Sequence, residues 1–359
     1  MQNLDTPTII IDLKTIRRNM ERMIQGLAPY GIAHRPHFKA HKSLYLARLQ
    51  IELGARGMTC ATLGEAEVLA NGCIDDIFIA YPIIGDIKLR RLTALCARAQ
   101  VSSVINSLEG AAALSEAFAK EGMNARVLIE LEGGMGRSPV TLENLPDFAE
   151  KIKRMPGLEV IGVMTYRGNV YGMADAAQRA REAAQEAQDL LAAKDILAGF
   201  GMDAQVLSGG SSFTSKTPEL LPGLTEVRAG NYIFNDVAQL SMGLVSEADC
   251  ALTVLARVVT LPAPGQAVID AGSKTLTTEL AAFGKGFGRV VGNPGTLIHK
   301  LSEEHGYLTL PEGMELRIGD LLRVIPNHAC VVPNLADRMF VDDGGDGFFI
   351  DVDARGKNQ

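Results

Sequence analysis

Eight short β-type runs alternate with longer amphipathic segments between about residues 31 and 234, and this alternation is the strongest constraint on the fold. The runs are 31–33, 57–60, 77–80, 101–105, 126–130, 159–164, 204–207 and 226–229. Segments such as 44–53, 87–99, 108–121 and 174–194 carry helical spacing between them. Parallel strands need crossovers of a dozen or more residues, so the spacing predicts βαβ units. A doubly wound sheet would alternate in the same way, and the count of eight decides for a (β/α)8 TIM barrel of the α/β class. After about residue 249 the texture changes. The short runs 254–261, 267–269, 289–291, 321–325 and 348–350 are punctuated by turns such as Ala263-Pro264-Gly265. The expected division is a barrel over 1–248 and a C-terminal all-β domain over 249–359. Residues 8–12 read as a leading strand able to join the β domain.

In a barrel of this kind, chemistry belongs at the C-terminal ends of the strands. Lys39 follows the first strand, in Arg35-Pro36-His37-Phe38-Lys39-Ala40-His41-Lys42. Nearby positive charge and partial burial can lower a lysine pKa and free the amine to attack a carbonyl. Arg137 follows the fifth strand in a glycine-rich loop, and Tyr166 follows the sixth. Ser208-Gly209-Gly210 follows the seventh, and Gly230-Asn231-Tyr232 the eighth. Glycine-rich loops after the last two strands of a barrel are the usual phosphate site. A reactive lysine together with a phosphate cradle points to pyridoxal 5'-phosphate, which forms a Schiff base. The blander readings are a solvated basic loop around Lys39 and a surface Arg137 paired with Glu132.

A second constellation is His328-Ala329-Cys330 in the β domain. Two residues apart on extended chain, its side chains share a face. Imidazole and thiolate together suit zinc, or another divalent metal such as manganese. Taken alone, such a pair is more often structural. Further ligands would be water, substrate, or a distant residue such as Asp270 or His305.

Composition removes several function classes. The net charge of −7 and the lack of a long basic run argue against nucleic acid and anionic membrane partners. No apolar run reaches membrane-spanning length. The five cysteines are an odd number without a CxxC pair, which fits reduced thiols and a cytoplasmic setting.

Taken in order, Asp5-Thr6-Pro7, the Lys39 motif, Gly134-Met135-Gly136-Arg137, Arg228-Ala229-Gly230-Asn231-Tyr232, Asp270-Ala271-Gly272-Ser273-Lys274, Glu304-His305-Gly306 and Pro326-Asn327-His328-Ala329-Cys330 span nearly the whole chain. This set resembles the D-serine dehydratase / D-threonine aldolase family of fold-type III pyridoxal phosphate enzymes. The resemblance implies an alanine-racemase-like barrel with a β domain, assembled as a homodimer. It implies that Lys39 carries the cofactor and acts as catalytic base, that Arg137 faces the cofactor's 3-oxygen, and that Tyr166 packs near its ring. It also implies a catalytic metal on His328 and Cys330.

Within the family His-x-Cys resembles the dehydratase branch, and His-x-Asp is more typical of the aldolases. Related aldolases also carry a histidine shortly after the tyrosine, whereas here Tyr166-Arg167-Gly168-Asn169-Val170-Tyr171-Gly172 has none. Ala61 and Thr62 depart from the glutamine or lysine that several relatives place near the cofactor. The expected activity is a zinc-dependent dehydratase, an ammonia-lyase. It would take a D-β-hydroxy amino acid such as D-serine to a 2-oxo acid and ammonia. The alternatives are D-threonine aldolase-type cleavage, amino acid racemisation and a non-catalytic pyridoxal phosphate carrier.

Overall fold

The computed structural model describes residues 4–359, which divide into two compact units. One comprises 22–39, 46–230 and 357–359, and the other the residues up to Glu21, then 40–45 and 231–356.

The first unit holds the eight parallel strands. They are Ala33–His34, Met58–Cys60, Asp76–Pro82, Gln100–Ile105, Ala125–Glu130, Leu158–Met164, Val206–Gly209 and Glu226–Val227. The first pairs with the eighth, and pairing then descends in sequence order to the second. A parallel bridge between His37 and Thr59 joins the two ends. The strands are dominated by buried residues, as expected when both faces are covered. Phe78, Val104, Leu128 and Met164 form one apolar cluster drawn from the third to sixth strands.

The helices begin where the sequence provides caps. Thr62 accepts from Glu65 N–H at the start of Leu63–Asn71. Ser107 does the same from Gly110 before Leu108–Lys120, and Asp175 from Ala177 before Ala176–Gly199.

Closure between the first and eighth strands is electrostatic as well as hydrogen-bonded. Arg35 Nε lies 2.9 Å from Glu226 Oε2, and its Nη1 lies 2.7 Å from Asp76 Oδ1. Burial alone would raise the Glu226 pKa, but the Arg35 charge and hydrogen bond hold it below the ordinary range. Such a pair resists removal of either partner, because the survivor would be a buried, uncompensated charge.

The second unit is one nine-stranded sheet. Thr8–Asp12 lies between Leu252–Thr260, which is antiparallel to it, and Arg338–Asp342, which is parallel. Leu252–Thr260 also pairs with Leu321–Ile325 on one side and with Gln266–Ile269, so part of the sheet curls back on itself. Three of its strands, Leu297–Leu301, Gly306–Thr309 and Arg338–Asp342, lie outside the runs read from the sequence. All five cysteines are free thiols. Among the described residues no helix is long and apolar enough to cross a membrane.

Candidate active site

Lys39 sits in the 3-10 turn Phe38–Ala40, just past the first barrel strand. The segment leading to it is stitched on both sides. Ala33, Arg35 and His37 donate their N–H groups to the carbonyls of Thr225, Val227 and Ala229. Thr59 donates its N–H to Pro36 O and its hydroxyl to Arg35 O. The Lys39 side chain is exposed on this rigid base. Arg35 is tied to Glu226 and Asp76, while Lys42, in the other unit, donates to Asn334 Oδ1 at 2.7 Å. His34 is buried against Ala229 O, and burial pulls its pKa down to about 4, so it is a neutral donor.

The loops after the fifth and sixth strands interlock through glycine. A Cβ on Gly133 would come within 2.5 Å of Tyr166 O, and one on Gly168 within 2.5 Å of Tyr166 Cε1. The Arg137 guanidinium lies 5.3 Å from the Tyr166 ring centroid, a cation–π contact that fixes both side chains. The surface pairing of Arg137 with Glu132 does not occur through its side chain. Glu132 instead accepts the backbone N–H groups of Met135, Gly136, Arg137 and Ser138. Burial would raise its pKa, but these donors hold it below the usual range. This glycine loop therefore spends its amides on its own carboxylate. The next loop is equally committed: Arg167 pairs with Glu182 and Asp189.

The seventh-strand end is partly engaged from within. Ser208 donates to Glu226 Oε1 and accepts from Arg228 Nη1, both at 2.7 Å. Gly209 lies against Leu190, Leu224 and Glu186, where a Cβ would crowd in. Gly210, at φ +75°, donates its N–H to the fully buried Glu186. A Cβ there would stand 2.6 Å from Val227 Cβ and 2.9 Å from Ser215 Oγ. That Ser215 hydroxyl is buried and has no hydrogen-bond partner. It is a phosphate donor candidate that no local motif marks, whereas the buried cation Arg228 stands in the motif Arg228-Ala229-Gly230-Asn231-Tyr232. Gly230 ends the 46–230 segment of the barrel unit, which holds an exposed amine on Lys39, a ring-stacked cation, and a glycine turn with an orphaned hydroxyl. These features fit a phosphorylated aldehyde cofactor.

Asn231 and Tyr232 begin the 231–356 segment of the second unit, in a 3-10 turn. Tyr232 is buried, and Asn231 donates its amide to Asp236, leaving its own buried Oδ1 without a partner. The same Asp236 oxygen accepts the N–H of Ala329, the residue between His328 and Cys330. One buried carboxylate thus ties the Asn231 turn to the His-x-Cys segment. Burial raises the Asp236 pKa, against the pull of His328 and these donors.

His328 Nδ1 lies 2.5 Å from Glu279 Oε2, and its ring also bonds the Cys330 side chain. Burial would lower the His328 pKa, but Cys330, Asp236 and Glu279 together push it up to about 10. Of the distant ligand candidates, Asp270 is occupied by Thr6 Oγ1 and Arg257 N–H, and His305 is exposed. Among the described residues no group of three His, Cys, Asp or Glu is placed to hold a metal. The donor set is one imidazole and one thiol, both zinc ligands by type, so a bound ion would take its other positions from water or substrate.

Residues 11–237 match the family model for the alanine racemase N-terminal domain, and residues 251–341 that for a putative serine dehydratase domain. D-threonine aldolase of Arthrobacter sp. is 30% identical, over 95% of this chain and 90% of its own. D-threo-3-hydroxyaspartate dehydratase of Delftia sp. is 31% identical, over 91% of each chain. A solved structure of the dehydratase from Delftia sp. HT23 superposes with a TM-score of 0.92, covering 98% of both chains at 29% identity. A cysteine-to-alanine mutant of D-threo-3-hydroxyaspartate dehydratase in the metal-free form, 28% identical, also superposes at 0.92 over 98% of each chain.

Proposed function

Because the chain belongs to the D-serine dehydratase / D-threonine aldolase family of fold-type III pyridoxal phosphate enzymes, we propose that it is a lyase that dehydrates a D-β-hydroxy amino acid. The observation that carries this reading is the imidazole–thiol pair of His328 and Cys330, braced by Glu279 and Asp236. When bound, pyridoxal phosphate serves as the electron sink for α-proton removal, and zinc or a similar divalent ion weakens the β-carbon–oxygen bond.

The protein's own groups do the rest. Lys39 holds the cofactor through its amine and takes the α-proton once that amine is released. Arg137 and Tyr166 would orient the ring, and the turn at 210–215 with Gly230 would receive the phosphate. His328 and Cys330 hold the metal. Loss of the α-proton and the β-hydroxyl removes water, and hydrolysis of the remaining enamine gives ammonia and a 2-oxo acid. The sixth-strand loop contains no imidazole, and its Arg167 is already paired with Glu182 and Asp189, so no base stands there to take a β-hydroxyl proton. That favours elimination over retro-aldol cleavage.

The aldolase reading is retained because of the 30% identity with D-threonine aldolase. Product analysis separates them. The metal-replete protein with D-serine, D-threonine and D-threo-3-hydroxyaspartate should release pyruvate, 2-oxobutyrate or oxaloacetate together with ammonia. Glycine and an aldehyde as the sole products would overturn the dehydratase. We further read the enzyme as a cytoplasmic homodimer. The free thiols support the first term, and the exposed Leu280 and Phe283 of the second unit support the other.

A further inference from the structure

The segment 277–279 is held in a form its residues would not choose. Thr277 is β-branched yet sits at φ +67°, in the left-handed region. Such a residue persists only where its surroundings over-determine it. Thr277 Oγ1 accepts the N–H of Glu279. Asn327 Nδ2 donates to Glu279 O at 2.9 Å and to Gly286 O at 2.8 Å. The outcome is a carboxylate placed 2.5 Å from Nδ1 of His328, the residue that follows Asn327.

A histidine that binds metal through one ring nitrogen usually gives the other to a carboxylate or carbonyl, which sets its tautomer and ring orientation. We propose that Glu279 is the positioning residue for the metal-binding histidine. By accepting from Nδ1 it leaves Nε2 of His328, with Cys330, to take the divalent cation. Asn327 serves one step further out, fixing the Glu279 backbone. The inference rests on His328 and Cys330 binding metal. The half-exposed Glu279 side chain makes the residue replaceable without opening a core cavity.

Wild type, Glu279→Gln and Glu279→Ala are stripped with a chelator and titrated with zinc against a chromogenic competitor, and the thermal midpoint of each stripped protein is recorded. Wild type should take one zinc per chain. Glu279→Ala should bind it 10- to 100-fold more weakly. Glu279→Gln keeps an acceptor without the charge and should lose less. The stripped midpoints should differ only slightly, because a half-exposed ion pair adds little to the fold. Equal zinc affinity in all three overturns the role of Glu279. So does a weakened affinity that only tracks a lowered stripped midpoint. Wild type that takes up no zinc overturns the metal reading itself.

Discussion

Lys39 is exposed, but the chain leading to it is hydrogen-bonded on both sides. That combination suits an amine that must reach a carbonyl repeatedly from one position. Borohydride reduction of the cofactor-loaded protein should fix the label on Lys39. Lys39→Ala should lose turnover by several orders of magnitude, because one group holds the cofactor and moves the proton. A label on Lys42 or Lys274 would reject the assignment. His34, buried next to this segment, carries a pH signature. Its pKa is about 4 in the fold against 6.5 for an ordinary histidine, so between those values the unfolded chain binds the extra proton. Stability therefore rises with pH through that window. It is complete above about 6.5 and falls by on the order of 3 kcal/mol as pH drops toward 4. Urea midpoints measured from pH 4 to 7 should show this slope, and His34→Gln should flatten it.

At the scale of elements, the Gly209–Gly210 turn shows how little room the seventh-strand end allows. Gly210→Ala combines a positive φ with a collision at Val227. It should cost at least about 1–2 kcal/mol in urea denaturation and weaken pyridoxal phosphate binding. An unchanged midpoint would mean that the turn relaxes. The turn also shows where sequence reading stops. The apolar run 204–207 was legible, but the strand extends to Gly209, because Gly209 is still paired with Val227 on the eighth strand. The eight barrel strands stood out since strands buried on both faces must be continuously apolar. Leu297–Leu301 did not, because only Ile298 among its residues is buried. Lys39, Arg137, His328 and Cys330 were visible as local motifs. Glu279 was not: its meaning comes from His328, 49 residues away, and from a backbone geometry that no local pattern encodes.

For the whole molecule, the lysine belongs to one compact unit and the His-x-Cys pair to the other. Cofactor and metal should therefore part company in experiment. Chelation, or Cys330→Ala, should abolish 2-oxo acid formation while the visible cofactor band remains, and zinc should restore the chelated wild type. Full activity in a preparation shown by elemental analysis to be free of metal would make the pair merely structural. The pairing of early and late chain described above has one more consequence, for synthesis on the ribosome. Arg35 can meet Asp76 early, but its second partner, Glu226, is made 191 residues later. At about 5–20 residues per second the wait is on the order of ten seconds or more. Ile10 waits longer still, for Phe340. The earliest-made strand and the Lys39 segment both spend much of translation unfinished. High contact order of this kind slows folding and leaves nascent strands open to chaperones. A ribosome-stalled fragment ending before residue 226 should accordingly be unable to retain the cofactor, however much of the Lys39 motif it already contains.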